Sequence, residues 1–155
     1  MAERIFIHGL ESSNQGTKSL FFREKFPDMI IPNFTGSLEE RMERLEQVLS
    51  GSMDIRLVGS SFGGLMASLF AMNHQALVTC MVLLAPAINL IEMPGSKTIS
   101  IPVQVYHGRN DLVIPIEEVE PVARKIFTDL SFHSKEDDHF LHNTFKTIDW
   151  ELVLA

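Results

Sequence analysis

Hydrophobic positions fall in short unbroken runs, separated by stretches with helical period. The runs "RIFIHG" (Arg4–Gly9), "MIIPNF" (Met29–Phe34), "IRLVGS" (Ile55–Ser60), "MVLLAP" (Met81–Pro86), "VQVYHG" (Val103–Gly108) and "LSFHSK" (Leu130–Lys135) predict six strands. They are apolar throughout rather than alternating, the pattern of a parallel sheet covered on both faces. Between them, one helix is predicted over Thr17–Phe26, ending before Pro27. A second opens at Ser37, where Ser37 and Glu40 have capping-box spacing. Leu38, Met42, Leu45, Val48 and Leu49 share one face of it, and Gly51 can close it. Further helices are predicted over Phe62–Asn73, over Glu117–Phe127 with Pro121 kinking it or delaying its start, and over Phe140–Val153. The alternation implies a three-layer α/β/α sandwich around a mostly parallel sheet. No repeat, low-complexity tract or linker interrupts it, and 155 residues suit a single domain spanning 1–155. A chain of that length buries roughly two-thirds of its unfolded surface, enough for an ordinary core.

Composition narrows the function. Twenty acids against 13 bases give a formal charge of −7, which repels phosphate backbones, so nucleic acid is not an expected partner. The mixed charges of "LEERMERLEQVLS" read as a solvated helix face, and the eight methionines as core filling. The single cysteine, Cys80, excludes an internal disulfide, and its setting in "VTCMVLLAP" suits a buried structural thiol. The opening "MAERIFIHG" is too short and too charged for a secretory leader, and no apolar stretch approaches the roughly 18 residues of a membrane span. The expectation is a cytoplasmic protein without a membrane partner.

One turn stands out chemically. "LVGSSFGGLM" carries two adjacent serines, and only Ser61 centres a Gly-x-Ser-x-Gly frame, Gly59-Ser60-Ser61-Phe62-Gly63. Such a frame at a strand-to-helix junction lifts one side chain above the sheet, and the crowded turn needs neighbours without bulk. Gly63, Ala67 and Ala71 form a small-residue stripe that lets the next helix press on the sheet, with its N-terminal dipole aimed at the turn.

A serine hydroxyl needs a base, and the base an orienting acid. Asp111, in "YHGRNDLVIP", and His139, in "KEDDHFLHN", follow later strand-like runs, so both belong at the same sheet edge as Ser61. The alternatives are an Asp111 that merely caps a turn, His142 as base and Glu92 as acid; Asp137 and Asp138 are secondary, raising the base's pKa or capping the last helix. Two backbone N–H groups must face the developing oxyanion. Phe62 N–H follows the nucleophile directly, and Leu10, in the turn "FIHGLESS", supplies the other, with the Glu11 side chain turned away or at the rim. His8 and His107 precede glycines at strand ends and suit structural hydrogen bonds. His74 ends a helix, His133 lies in a strand, and no set of histidines has metal-ligand spacing.

His8-Gly9, Gly59 to Gly63, His107-Gly108-Arg109-Asn110-Asp111 and Asp138-His139-Phe140, in this order, resemble the α/β-hydrolase superfamily. Within it, "HGLESSNQGTKS" followed by "GSSFGG" looks like the small, capless YqiA-like esterases. The resemblance implies Ser61, Asp111 and His139 as the triad, with Leu10 and Phe62 as oxyanion donors. It also implies a minimal α/β-hydrolase fold beginning at the family's third strand, six strands in the order 2-1-3-4-5-6, and a switch point where the Leu10 and Ser61 loops meet. Where the family often inserts a cap domain, only Ala87–Ser100 stands, with Ile88, Leu90, Ile91 and Met93 as a greasy lip or as plain loop packing. The site is then open and shallow. The expected function is hydrolysis of small carboxylic esters or thioesters through an acyl-enzyme, with no metal or organic cofactor. Peptidase or acyltransferase chemistry is the enzymatic alternative, and a non-catalytic binding module on the same fold is the other.

Overall fold

The computed structural model describes residues 2–155. Its five strands are β1 (Glu3–Ile7), β2 (Ile55–Ser60), β3 (Val78–Leu84), β4 (Ile99–Gly108) and β5 (Phe127–Lys135). They form one parallel sheet in the order β1-β2-β3-β4-β5. The helices are α1 (Thr17–Lys25), α2 (Leu38–Val48), α3 (Phe62–Asn73), α4 (Ile116–Ile126) and two short ones, α5 (His142–Phe145) and α6 (Trp150–Val153).

Side-chain alternation along each strand splits the core into two layers. Ile5, Ile7, Leu57, Leu83 and Val105 point to the face covered by α2, α3 and α4. Phe6, Val58, Val82, Leu84 and Tyr106 point to the other, covered by α1 and the C-terminal segment. Covering both faces is why the strands read as unbroken apolar runs. On the second face, Phe22 of α1 stands edge-on to Trp150 at 4.8 Å, and Trp150 Nε1 donates to Phe145 O at 2.9 Å. Burying both the indole and its one donor this way is worth about 3–5 kcal/mol against alanine.

The sheet differs from the sequence expectation in strand count. The Met29–Phe34 run lies beside β1 but makes only the single parallel bridge Ile5↔Ile30, through Phe6 N–H to Ile30 O and Ile30 N–H to Arg4 O. Two residues on, Pro32 has no N–H to continue the ladder, and Phe34 N–H turns to His8 Nε2 instead. The count is therefore five, and the order that of the chain. The predicted Phe140–Val153 helix is likewise broken in two. Leu141 adopts a left-handed conformation (φ 53°), Thr147 Oγ1 donates to Thr144 O at 2.7 Å, and Asp149 caps a new start by accepting from Leu152 N–H. Short hydroxyl and carboxylate side chains compete here for the groups a continuous helix needs.

Elsewhere the signals acted locally. Ser37 and Glu40 form the full capping box of α2. Helix α4 runs through Pro121 from a start one residue earlier than expected. Among the described residues, no helix is long and apolar enough to cross a membrane.

Candidate active site

The carboxyl ends of β1, β2 and β4 and the loop after β5 converge on one cleft of about 670 Å³, lined by Leu10, Ser61, Phe62, Val113, His139 and Phe140 among others. Ser61 sits at the β2–α3 junction with φ 55° and ψ −118°, a conformation that costs a non-glycine residue about 1–3 kcal/mol. Its backbone is pinned from three sides. Ser61 N–H donates to Leu84 O at 2.9 Å, and Ser61 O accepts from Gly64 and Ala87 N–H, each at 2.9 Å. The glycine spacing has a measurable reason. A Cβ on Gly59 would lie 2.8 Å from Gly64 Cα and closer still to Gly63 O. A Cβ on Gly63 would lie 2.7 Å from His8 O and closer still to Ile7 O. The bare Gly63 backbone thus lets α3 butt against the end of β1, which brings the His8-Gly9-Leu10 turn alongside the serine.

The loops that carry Asp111 and His139 meet on the far side. Asn110 N–H donates to Asp137 O and Arg109 N–H to Lys135 O, so the turn after β4 is sewn to the turn after β5. Gly108 permits this closeness, since a Cβ there would lie 2.7 Å from Asp137 C. His139 Nε2 stands 3.1 Å from Ser61 Oγ, and His139 Nδ1 stands 2.7 Å from Asp111 Oδ2. The carboxylate accepts, so the ring proton belongs on Nδ1, which leaves the Nε2 lone pair facing the serine hydroxyl. The Asp111 side chain is fully buried, and its other oxygen accepts from Val113 N–H at 2.8 Å and Ile114 N–H at 2.7 Å. Such an array lets an imidazole take a hydroxyl proton while a carboxylate holds its orientation.

The backbone donors also lie at the cleft. Phe62 is the first residue of α3, so its N–H has no acceptor within the helix. Leu10 N–H has no hydrogen-bond partner among the described residues. Glu11, exposed, lines the cleft beside it. The turn carrying Leu10 is fixed by His8, whose Nδ1–H donates to Gly9 O at 2.7 Å while Nε2 accepts from Phe34 N–H at 2.9 Å. Burial lowers the His8 pKa, opposed by the Gly9 hydrogen bond and assisted by the Arg41 charge, and keeps this ring neutral.

The alternative candidates fall elsewhere. Glu92 is exposed on the β3–β4 connection, and His139 Nδ1 is taken by Asp111. His142 begins α5, exposed and stacked on Phe140 at 5.7 Å. Asp138 accepts from Phe140 N–H, and Asp137 from Thr144 N–H and Oγ1, so both shape the His139 loop without bonding the His139 ring. One contact gave no sequence signal. Lys18 Nζ donates to Phe140 O at 2.6 Å across 122 residues of chain, tying α1 to the loop that carries His139. Met93 and Leu90, on the β3–β4 connection, are exposed, and Ile88 is buried.

The model of an uncharacterised protein family, UPF0227, matches residues 3–98. Among solved structures, the chain resembles the alpha/beta hydrolase domain-containing protein 10 from mouse, at 18% identity and TM-score 0.76, over 98% of this chain and 86% of that one. It resembles an alpha-beta serine hydrolase homologue from Coxiella burnetii at 18% identity and TM-score 0.76, over 99% and 83%. Est1E from Butyrivibrio proteoclasticus, solved with ferulic acid bound, aligns at 16% identity and TM-score 0.71, over 99% and 85%. These likenesses establish the α/β-hydrolase fold. No curated protein matches the chain.

Proposed function

This chain belongs to the uncharacterised protein family UPF0227, and from its site we propose that it is a serine hydrolase of small carboxylic esters or thioesters. The observation that carries the reading is the unbroken hydrogen-bond line Ser61 Oγ–His139 Nε2, His139 Nδ1–Asp111 Oδ2, beside the Phe62 and Leu10 N–H groups.

In this reading His139 removes the Ser61 proton as Oγ attacks the carbonyl carbon. Asp111 holds the tautomer and stabilises the imidazolium that forms. The Phe62 and Leu10 amides bind the oxyanion, a contribution of about 3–4 kcal/mol per donor in comparable sites. His139 then protonates the leaving alcohol or thiol, and later activates the water that releases the acyl group. No metal or organic cofactor takes part. The strain at Ser61 fits this role, since the turn holds Oγ out towards the cleft. We take residues 1–155 as one domain without a cap. Its cleft is open, with Leu10, Val113 and Phe140 exposed by 50%, 65% and 56%, and suits short acyl groups.

Replacing Ser61 with alanine removes the nucleophile and leaves the turn's backbone bonds in place. S61A is expected to lose hydrolysis of p-nitrophenyl acetate while keeping the wild-type melting temperature. Equal turnover by S61A and wild type would refute the proposal.

A further inference from the structure

A second imidazole packs close to the buried carboxylate. His107, at the end of β4, has no solvent exposure. Its Nε2 lies 2.8 Å from Ile114 O and 3.3 Å from Asp111 Oδ2. A carbonyl oxygen only accepts, so the His107 proton is on Nε2 and is donated to Ile114 O, with Asp111 Oδ2 close by but not hydrogen-bonded to it. Its Nδ1 is buried without a partner among the described residues. Burial is the largest influence on this ring and lowers its pKa, against the Ile114 hydrogen bond and the Asp111 charge, so it serves as a neutral donor.

The His107 bond reaches Asp111 through one residue. Oδ1 of Asp111 takes the Val113 and Ile114 amides, and Oδ2 takes His139 Nδ1–H. The Ile114 backbone is held on both sides, its N–H by Asp111 and its C=O by His107. A fully buried carboxylate depends on every donor that meets its lone pairs, so a shifted amide lets it turn. A ring that served only to fill the strand end would not need a donor at this point.

We propose, on the reading of Asp111 as the triad acid, that His107 is a positioning residue that, by holding Ile114, keeps Asp111 Oδ2 in line with His139. It touches neither substrate nor serine. It acts by fixing the backbone that fixes the carboxylate.

The test compares His107→Leu and His107→Gln in the full chain, with Asp111→Asn alongside. Leucine fills the space without a donor, whereas the glutamine amide nitrogen reaches the Nε2 position. H107L is expected to lower kcat for p-nitrophenyl acetate by roughly 10- to 100-fold, the scale of leaving one buried carbonyl unpaired. KM should stay within about twofold, because no substrate contact is lost. The downfield Nδ1 proton of His139 in the proton NMR spectrum should shift or broaden, and H107Q should restore both kcat and that resonance. If leucine prevents folding, His107→Asn, whose shorter amide stops short of Ile114 O, replaces it against glutamine. An H107L enzyme with wild-type kcat, or a glutamine variant as impaired as leucine, would overturn the proposal. D111N separates the two levels: an inactive D111N with an unaffected H107L defeats the His107 role alone, and an active D111N defeats the triad reading beneath it.

Discussion

Asp111→Asn is the perturbation whose outcome the geometry constrains most tightly. The wild-type carboxylate divides its oxygens: Oδ1 accepts two backbone amides, at 2.8 Å and 2.7 Å, and Oδ2 faces His139 Nδ1 at 2.7 Å. An asparagine can place only one oxygen. Turning its NH2 towards the Val113 and Ile114 amides would set three donors against one another in a buried site. The oxygen therefore stays on the amides, and the NH2 faces His139. An NH2 donor there selects the His139 tautomer with its proton on Nε2, aimed at Ser61 Oγ, so the base cannot take the serine's proton. By analogy with the same change in a serine-protease triad, kcat should fall by about four orders of magnitude, about 5 kcal/mol of transition-state stabilisation. The fold should lose less. Two backbone bonds survive, and the charge-assisted interactions given up are worth about 1.5–3 kcal/mol, or a Tm lower by roughly 5–10 °C. Stopped-flow or steady-state hydrolysis of p-nitrophenyl acetate reads the first quantity and calorimetry the second. A folded D111N within tenfold of wild-type kcat would refute the reasoning. A larger loss in Glu92→Gln than in D111N would show that the acid is assigned to the wrong strand end.

Other outcomes follow from the packing and the titratable groups. Gly63→Ala drives a methyl group into the carbonyls of Ile7 and His8, so α3 must retreat from β1; Tm should fall and kcat should drop by at least tenfold with the Leu10 turn displaced, and a G63A enzyme with full activity would contradict the role given to that contact. The neutral His8 and His107 make stability depend on pH in a defined direction. Both have pKa values lowered below 6.5 by burial, so the unfolded chain binds more protons as pH falls through 6.5 while the native rings stay neutral. Their contribution is fully present above about pH 6.5 and is lost progressively below it. Asp137 acts in a separate, lower window: burial opposes its ionisation, but the Thr144 and Asp138 bonds hold its pKa below 3.8, so its contribution is lost only as pH falls through that range. Calorimetry from pH 7.5 to pH 5 should show Tm falling before the carboxylates titrate; a Tm that rises over that interval would contradict the sign.

Much of this site was legible because each part carries a local signal. The Ser61 frame is fixed by two glycines whose missing side chains leave room for Gly64 and for the end of β1. Asp111 and His139 could be placed at the same sheet edge because both follow strand-like runs, and a parallel sheet gathers such turns on one side. The errors have equally local causes. The Met29–Phe34 run has strand composition, but Pro32 and the diversion of Phe34 N–H to His8 leave it one bridge. The last helix has helical periodicity, but Leu141, Thr147 and Asp149 offer its backbone other partners. The Lys18–Phe140 tether and the His107–Asp111 approach were not legible as such. Each depends on where a side chain ends after the fold has formed, which neither composition nor period encodes.

The proposed chemistry stands or falls with Ser61 as a nucleophile activated by His139. Labelling the full chain with a fluorophosphonate probe, then locating the adduct by peptide mass mapping, tests it most directly. One adduct is expected, on Ser61, formed at least a hundredfold more slowly in His139→Ala, by the usual scale of general-base catalysis. An unlabelled wild-type protein, an adduct on Ser60 or elsewhere, or labelling unchanged by H139A would contradict it.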